Sequence, residues 1–157
     1  MLLLGLLGFA FYNIALNIGE QTIASGPAAL LIQTVPIWTA LAATIFLGDR
    51  LRVFGWIGIC IGFAGAVVIA LGKRGGFALG WGAALVVLAA ISASAYNVIQ
   101  KRMLGRYSPV QITTWAVWAG TLLLLPFAGG LVGEMRRAAL ADTLAVVYLG
   151  VFPAALG

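Results

Sequence analysis

The stretch SGPAALLIQTVPIWTALAATIFLGDRLRVFGWIGICIGFAGAVVIALG, residues 25–72, decides the fold. It holds two apolar runs, Pro27–Leu47 and Val53–Leu71, of 21 and 19 residues. Its only charges lie in the link between them, Gly48-Asp49-Arg50-Leu51-Arg52. Each run is close to the ~20 residues an α-helix needs to cross ~30 Å of hydrocarbon. Five residues leave no room for a domain, so the second helix must turn straight back beside the first. The stretch reads as a membrane helical hairpin.

The rest of the chain repeats that theme. Of 157 residues, 63% are hydrophobic and 8% charged, and the mean hydropathy is +1.11. Soluble domains carry about 25% charge, and one of this size cannot hide so much apolar surface. In lipid every backbone polar group needs an internal partner, which restricts spans to helices and closed barrels. Barrel strands would alternate over about 10 residues, whereas these runs are continuous over about twice that length. The fold class is therefore an all-α membrane protein, a polytopic transmembrane helical bundle.

Working outward, Leu2–Gly19 forms an earlier run that carries Tyr12, Asn13 and Asn17 and closes on Glu20. No Lys or Arg precedes it, so it fits a span better than a secretory leader. Asn13, Asn17 and Glu20 fall at i, i+4 and i+7, on one helical face that lipid would penalise. In the hairpin, Ser25 is placed to cap the first helix, and Pro36 removes a mid-helix hydrogen bond and predicts a kink. Gly55, Gly58, Gly62 and Gly65 form a stripe along the second helix, with a G-x-x-x-G at Gly58–Gly62, which predicts close helix packing. After Lys73-Arg74-Gly75-Gly76 come a fourth span, Phe77–Ile99, and a fifth, Pro109–Phe127. A loop follows at Gly129–Ala141. Asp142 is placed to cap a last run, Thr143–Gly157, whose 15 residues are short for a span. The pattern is five full spans plus a truncated sixth. Arg50, Arg52, Lys101, Arg102 and Arg106 on one side outnumber Lys73, Arg74, Arg136 and Arg137 on the other, and the positive-inside rule places the larger set in the cytoplasm.

Pro36-Ile37-Trp38-Thr39-Ala40-Leu41, Phe46-Leu47-Gly48-Asp49-Arg50-Leu51, Gly55-Trp56-Ile57-Gly58 and Gly62-Phe63-Ala64-Gly65-Ala66-Val67 resemble the EamA family of the drug/metabolite transporter superfamily. Asp49 stands where that family usually has Glu, which keeps the charge. The resemblance implies a ten-helix carrier built from two five-helix repeats of opposite orientation. Residues 1–72 would then be the C-terminal part of the first repeat, three helices, and 77–157 the N-terminal part of the second. The chain is on this reading a fragment covering about helices three to eight. An odd number of helices per repeat inverts the second copy, the arrangement of alternating-access carriers.

The function this implies is a transmembrane carrier moving small metabolites, amino acids or drug-like solutes among them, across the cytoplasmic (inner) cell membrane. Asn13, Asn17, Gln33, Tyr96 and Asn97 come from three helices and bring the most polar surface to hide, so they are the expected substrate-binding groups, with Trp118 as a cavity wall. No Asp, Glu, Lys or Arg lies mid-span, so no midplane carboxylate for proton coupling is visible; Glu20, near the outer end, is the only candidate and reads first as an interfacial residue. With no histidine and four scattered acids, no metal cluster can be written, and no cofactor is expected. An intramembrane enzyme is disfavoured because no His or buried acid stands near any Ser. The partners expected are the small-molecule substrate, the lipid bilayer, and a second copy or flanking helices, with no nucleic acid. A second reading stays open: a non-transporting helical membrane subunit, or a remnant, that packs through its glycine-rich helix.

Overall fold

The computed structural model describes residues 1–49, 53–71, 80–130, 133 and 137–151. Every regular element among them is helical. Helix α1 spans Leu2–Glu20, with residues Leu6–Phe11 wound as a π turn. Helix α2 spans Ser25–Leu47 and breaks between Ile32 and Val35. Helix α3 is Val53–Leu71 and α4 is Trp81–Met103. Helix α5, Pro109–Leu124, passes into a 3-10 turn at Leu125–Gly130, and α6 is Leu140–Val151. Four stretches are long and apolar enough to cross a membrane: α1, α2, α4 and Pro109–Gly130. Helix α3 adds 19 residues, about 28 Å of rise. The all-α multi-pass bundle expected from composition is the architecture observed.

Residues Met1–Leu123 form one unit and Leu124–Gly157 a second. In the first, α4 is the central helix: α1 and both halves of α2 pack on it. Its buried face reads Ala83, Val86, Ala89, Ala90, Ser92, Ser94 and Val98. Small residues there let neighbouring backbones come close. At the α1–α4 crossing, Gly19 meets Gly82, and a Cβ on Gly82 would lie 2.7 Å from the Gly19 carbonyl oxygen. Helix α5 approaches α1 as closely, because a Cβ on Gly5 would lie 2.5 Å from that of Ala119. Below that contact Leu4, Ile112 and Ala116 close a core flanked by Phe9, Tyr96 and Ile99. Helix α3 rests chiefly on the first half of α2. Outward-facing Ile45, Phe46, Phe54 and Ile61 remain exposed, as a lipid-facing surface requires.

Element ends differ from the sequence reading for identifiable reasons. The fourth span is described from Trp81, after extended Gly80, and runs on to Met103, past the expected end at Ile99; its expected start, 77–79, lies outside the described residues. Lys101 and Arg102 then belong to its last turn, where cations complement the negative end of the helix dipole. Ser25 lies inside α2, with Ala24 at the cap position. Asp142 sits inside the first turn of α6 instead of capping it, a place equally suited to an acid. Pro126 cannot donate to an α ladder, so α5 gives way to the 3-10 turn there. Gly48, at φ 69°, closes α2 in the left-handed conformation, and the Asp49 N–H donates back to Ala43 O. Lys101 pairs with Asp49, joining the end of α4 to that turn. Arg50, Arg52, Lys73, Arg74, Arg136 and the end of the sixth run lie outside the described residues.

Candidate functional site

Two irregular stretches of backbone face the middle of α4. The first is the π turn of α1. Glycine at 8 removes the side chain that would strike Tyr96, since a Cβ there would sit 2.4 Å from Tyr96 Cδ2. The Tyr96 ring meets Phe9 edge-to-face, with centroids 5.9 Å apart. The second is the break in α2. Pro36 has no N–H for the Ile32 carbonyl, so the first half stops at Ile32 and a new helix starts at Val35, with Pro36 in its first turn. Thr34 bridges the gap. Its N–H and its hydroxyl both donate to Leu31 O, at 3.1 and 2.6 Å, and its carbonyl accepts from Ile37 N–H and Trp38 N–H. The irregularity expected at Pro36 is therefore centred one turn earlier, at Gln33 and Thr34, which keep right-handed helical dihedrals.

Serines of α4 donate to a carbonyl within the first stretch and to one just past the second. The Ser92 hydroxyl donates to Leu7 O in the π turn at 2.8 Å. The Ser94 hydroxyl, on a residue 2% exposed, lies 3.0 Å from Val35 O and 2.8 Å from Ala90 O. Between the two stretches lies a cavity of about 370 Å³ lined by Gly8, Tyr12, Ile32, Gln33, Val35, Pro36, Ala93, Tyr96 and Asn97. Its polar groups are two phenols and two carboxamides, and among the described residues none that lines it is charged. A second hollow of about 420 Å³ lies beyond it, where Gln33 and Pro36 face Gly55, Gly58 and Gly62 of α3. Gln33 and Pro36 thus border both spaces.

Of the residues singled out from sequence, the structure brings Gln33, Tyr96 and Asn97 together in the first cavity. Asn13 and Asn17 are placed differently: their amides donate back along α1, to Phe9 O at 2.7 Å and Asn13 O at 2.8 Å. Trp118 is 62% exposed on α5 and is not among the cavity residues. A Cβ added at Gly58, Gly62 or Gly65 would meet open space, whereas Gly5, Gly8, Gly19, Gly82 and Gly120 make the close approaches. Tyr12 and Gly8 were not singled out. Their signal was a tyrosine four residues after a glycine within an apolar run, but a count of 3.6 per turn does not anticipate a π turn between them. Thr39 Oγ1 is buried with no hydrogen-bond partner among the described residues. Among those residues no cluster of His, Cys, Asp or Glu is placed to hold a metal.

Residues 1–71 and 80–157 match the EamA-like transporter family. The chain is 42% identical over 152 residues to an uncharacterized transporter, YdfC, of Bacillus subtilis (strain 168), covering 96% of this chain and 49% of that protein. It is 38% identical over 156 residues to a probable terminal-alkyne amino-acid exporter of Streptantibioticus cattleyicolor, covering 99% and 52%. A riboflavin transporter of Rhizobium johnstonii is 36% identical over 104 residues, 66% of this chain and 32% of that protein. The chain spans about half the length of the first two relatives. No solved structure matches it.

Proposed function

The chain belongs to the EamA-like transporter family, and on that footing we propose that it supplies the substrate cavity of a multi-pass carrier in the cytoplasmic membrane. The cargo is a small neutral or zwitterionic metabolite. The observation that carries this reading is the cavity itself: about 370 Å³, bordered by Tyr12, Gln33, Tyr96 and Asn97 and, among the described residues, by no charged side chain. Ligand sites run from about 300 to 1,000 Å³, mostly apolar with a few placed polar groups, so this one suits a solute of amino-acid size. Carboxamides both donate and accept, and the Tyr96 face offers an apolar wall. The names of two relatives, an amino-acid exporter and a riboflavin transporter, agree with solutes rich in hydrogen-bonding groups.

Alternating access is the mechanism this reading carries. Residues 1–72 and 77–157 are assigned to two repeats of opposite orientation, an assignment supported by the two separate stretches over which the family matches. The break in α2 and the π turn of α1 are the places where the walls can change shape without breaking a regular hydrogen-bond ladder.

The test is transport by proteoliposomes holding the product of the whole open reading frame. A panel of labelled neutral amino acids and flavins is compared with empty vesicles. Gln33→Ala and Asn97→Ala are expected to lower the rate at least about tenfold, the effect of ~1.4 kcal/mol, at unchanged protein content. Unchanged rates in both variants would remove the cavity from the transport path. The non-transporting reading draws on the glycine face of α3, where a Cβ at Gly58, Gly62 or Gly65 meets no described atom within 4 Å, and it predicts no flux above empty vesicles for any solute.

A further inference from the structure

On the side of α4 away from the polar cavity, a groove of about 650 Å³ runs between α4 and the second half of α2. Trp38, Leu41, Ile45, Ala95 and Val98 form its walls, and Arg102 stands at its end. The groove covers α4 from Ile91 to Arg102, 11 residue steps or about 16 Å of helix. That is the depth of one leaflet of a ~30 Å hydrocarbon core. It therefore begins near the bilayer middle and ends where headgroups lie. Lys101 at the same level is engaged by Asp49, whereas Arg102 has no ion-pair partner among the described residues.

We propose that this groove is a binding site for one anionic phospholipid. An acyl chain lies along Trp38, Ile45 and Val98, and the phosphate is held by the Arg102 guanidinium. Length and charge both select this occupant. A groove one leaflet deep fits a single acyl chain, and a planar guanidinium at its mouth pairs with phosphate oxygens in bidentate fashion. A zwitterionic lipid would fill the apolar part equally well but would bring no net charge to Arg102. The preference for an anionic headgroup therefore rests on that residue, and the site is independent of the polar cavity.

Trp38 makes the proposal measurable, because bromine on an acyl chain quenches tryptophan on contact. The protein, expressed from its whole open reading frame with every other tryptophan replaced by phenylalanine, is placed in nanodiscs. These contain a fixed small fraction of brominated phosphatidylglycerol or of brominated phosphatidylcholine in unbrominated phosphatidylcholine. Phosphatidylglycerol is expected at Trp38 about fivefold above its bulk fraction, the effect of ~1 kcal/mol for one cation at the surface. Arg102→Gln should reduce that enrichment to the level of phosphatidylcholine, and Arg102→Lys should keep most of it. Equal quenching by the two lipids in the unsubstituted protein overturns the headgroup selectivity. Absence of quenching by either means that protein covers the groove, and overturns the site. Ala95→Phe, which fills the groove without touching the charge, is a second check: it should abolish the enrichment, and survival of the enrichment would place the lipid elsewhere.

Discussion

Replacing Gly82 by Ala probes the α1–α4 crossing on which the cavity stands. The new Cβ would lie 1.7 Å from Thr22 Oγ1, 3.1 Å from Thr22 Cβ and 2.7 Å from Gly19 O. Rotating the Thr22 hydroxyl away removes the first clash and also its bond to Gly19 O, 3.0 Å long. The backbone contact stays about 0.6 Å short of the ~3.3 Å at which carbon and carbonyl oxygen normally meet. The helices must therefore part by roughly that amount along a face built of glycine and alanine. Overpacking of this kind costs about 1–3 kcal/mol. Gly58→Ala provides the control, since its Cβ meets open space and a surface change of that kind stays within about 0.5 kcal/mol. Thermal unfolding in one detergent, followed by size-exclusion fluorescence, reads the difference, expected as a midpoint about 3–10 °C lower for Gly82→Ala. Thr22→Ala should rescue only part of the loss, because the Gly19 oxygen does not move with that side chain. A Gly82→Ala midpoint equal to the parent would refute the close crossing. A Gly58→Ala midpoint that falls as far would show that another helix covers the α3 stripe.

Three further outcomes follow from the same geometry. Ser94→Ala removes a hydroxyl shared between Val35 O and Ala90 O and should lower stability by about 0.6 kcal/mol, and at most ~1.7, the range for interhelical hydrogen bonds in membranes; detergent-titrated unfolding measures it. A double-mutant cycle with Asp49→Asn and Lys101→Met should return only about 0.2–1 kcal/mol, because the pair is exposed, and the coupling should shrink in high salt. Pro36→Ala should leave the melting midpoint unchanged or raise it, by the equivalent of well under the ~3 kcal/mol that proline costs in a helix interior, because Pro36 stands in a first turn. It should slow transport in vesicles by letting α2 run straight; a lower midpoint would mean that packing, not proline, imposes the break.

Much of the fold was legible because lipid imposes one rule on every span. Continuous apolar runs separated by charged links mark helices, and α1, α2, α3 and α5 begin within two residues of the sequence reading. Ends were less legible where a polar residue can sit either inside or outside a helix. Lys101 and Arg102 look like loop charges, but at a helix C-terminus they are favoured within the last turn. Glycine was legible as a packing residue only in kind. The regular stripe of α3 attracted the packing reading, whereas the close approaches in the described structure use Gly5, Gly8, Gly19, Gly82 and Gly120, scattered over three helices. Spacing along one helix cannot say which face a neighbour occupies. In the cavity, Gln33, Tyr96 and Asn97 were visible as polar groups too large to leave in lipid. Asn13 and Asn17 carried the same signal, yet a carboxamide on a helix can also satisfy itself on the carbonyl four residues back, as both do.

The position of Ser92 and Ser94 explains why the cavity lies where it does. A π turn and a proline break each disturb the carbonyl ladder of their own helix, and in lipid an unpartnered carbonyl is expensive. A donor from another element beside such a stretch adds a hydrogen bond that lipid cannot supply. Residues 92 and 94 are two apart on α4, about 200° around its axis, so one hydroxyl reaches α1 and the other reaches α2. Tyr96 and Asn97, one turn further along, border the space that remains between those two helices. The cavity and the backbone irregularities thus lie together: the π turn of α1 and the break in α2 border the same room, and serines of α4 tie α4 to Leu7 in the first and to Val35 just past the second. It follows that Ser92→Ala and Ser94→Ala together should alter transport beyond the sum of their single effects, measured as a ratio of rates in vesicles at equal protein content. Strict additivity would show that the two irregular stretches move independently, and the cavity would then have two walls with separate roles.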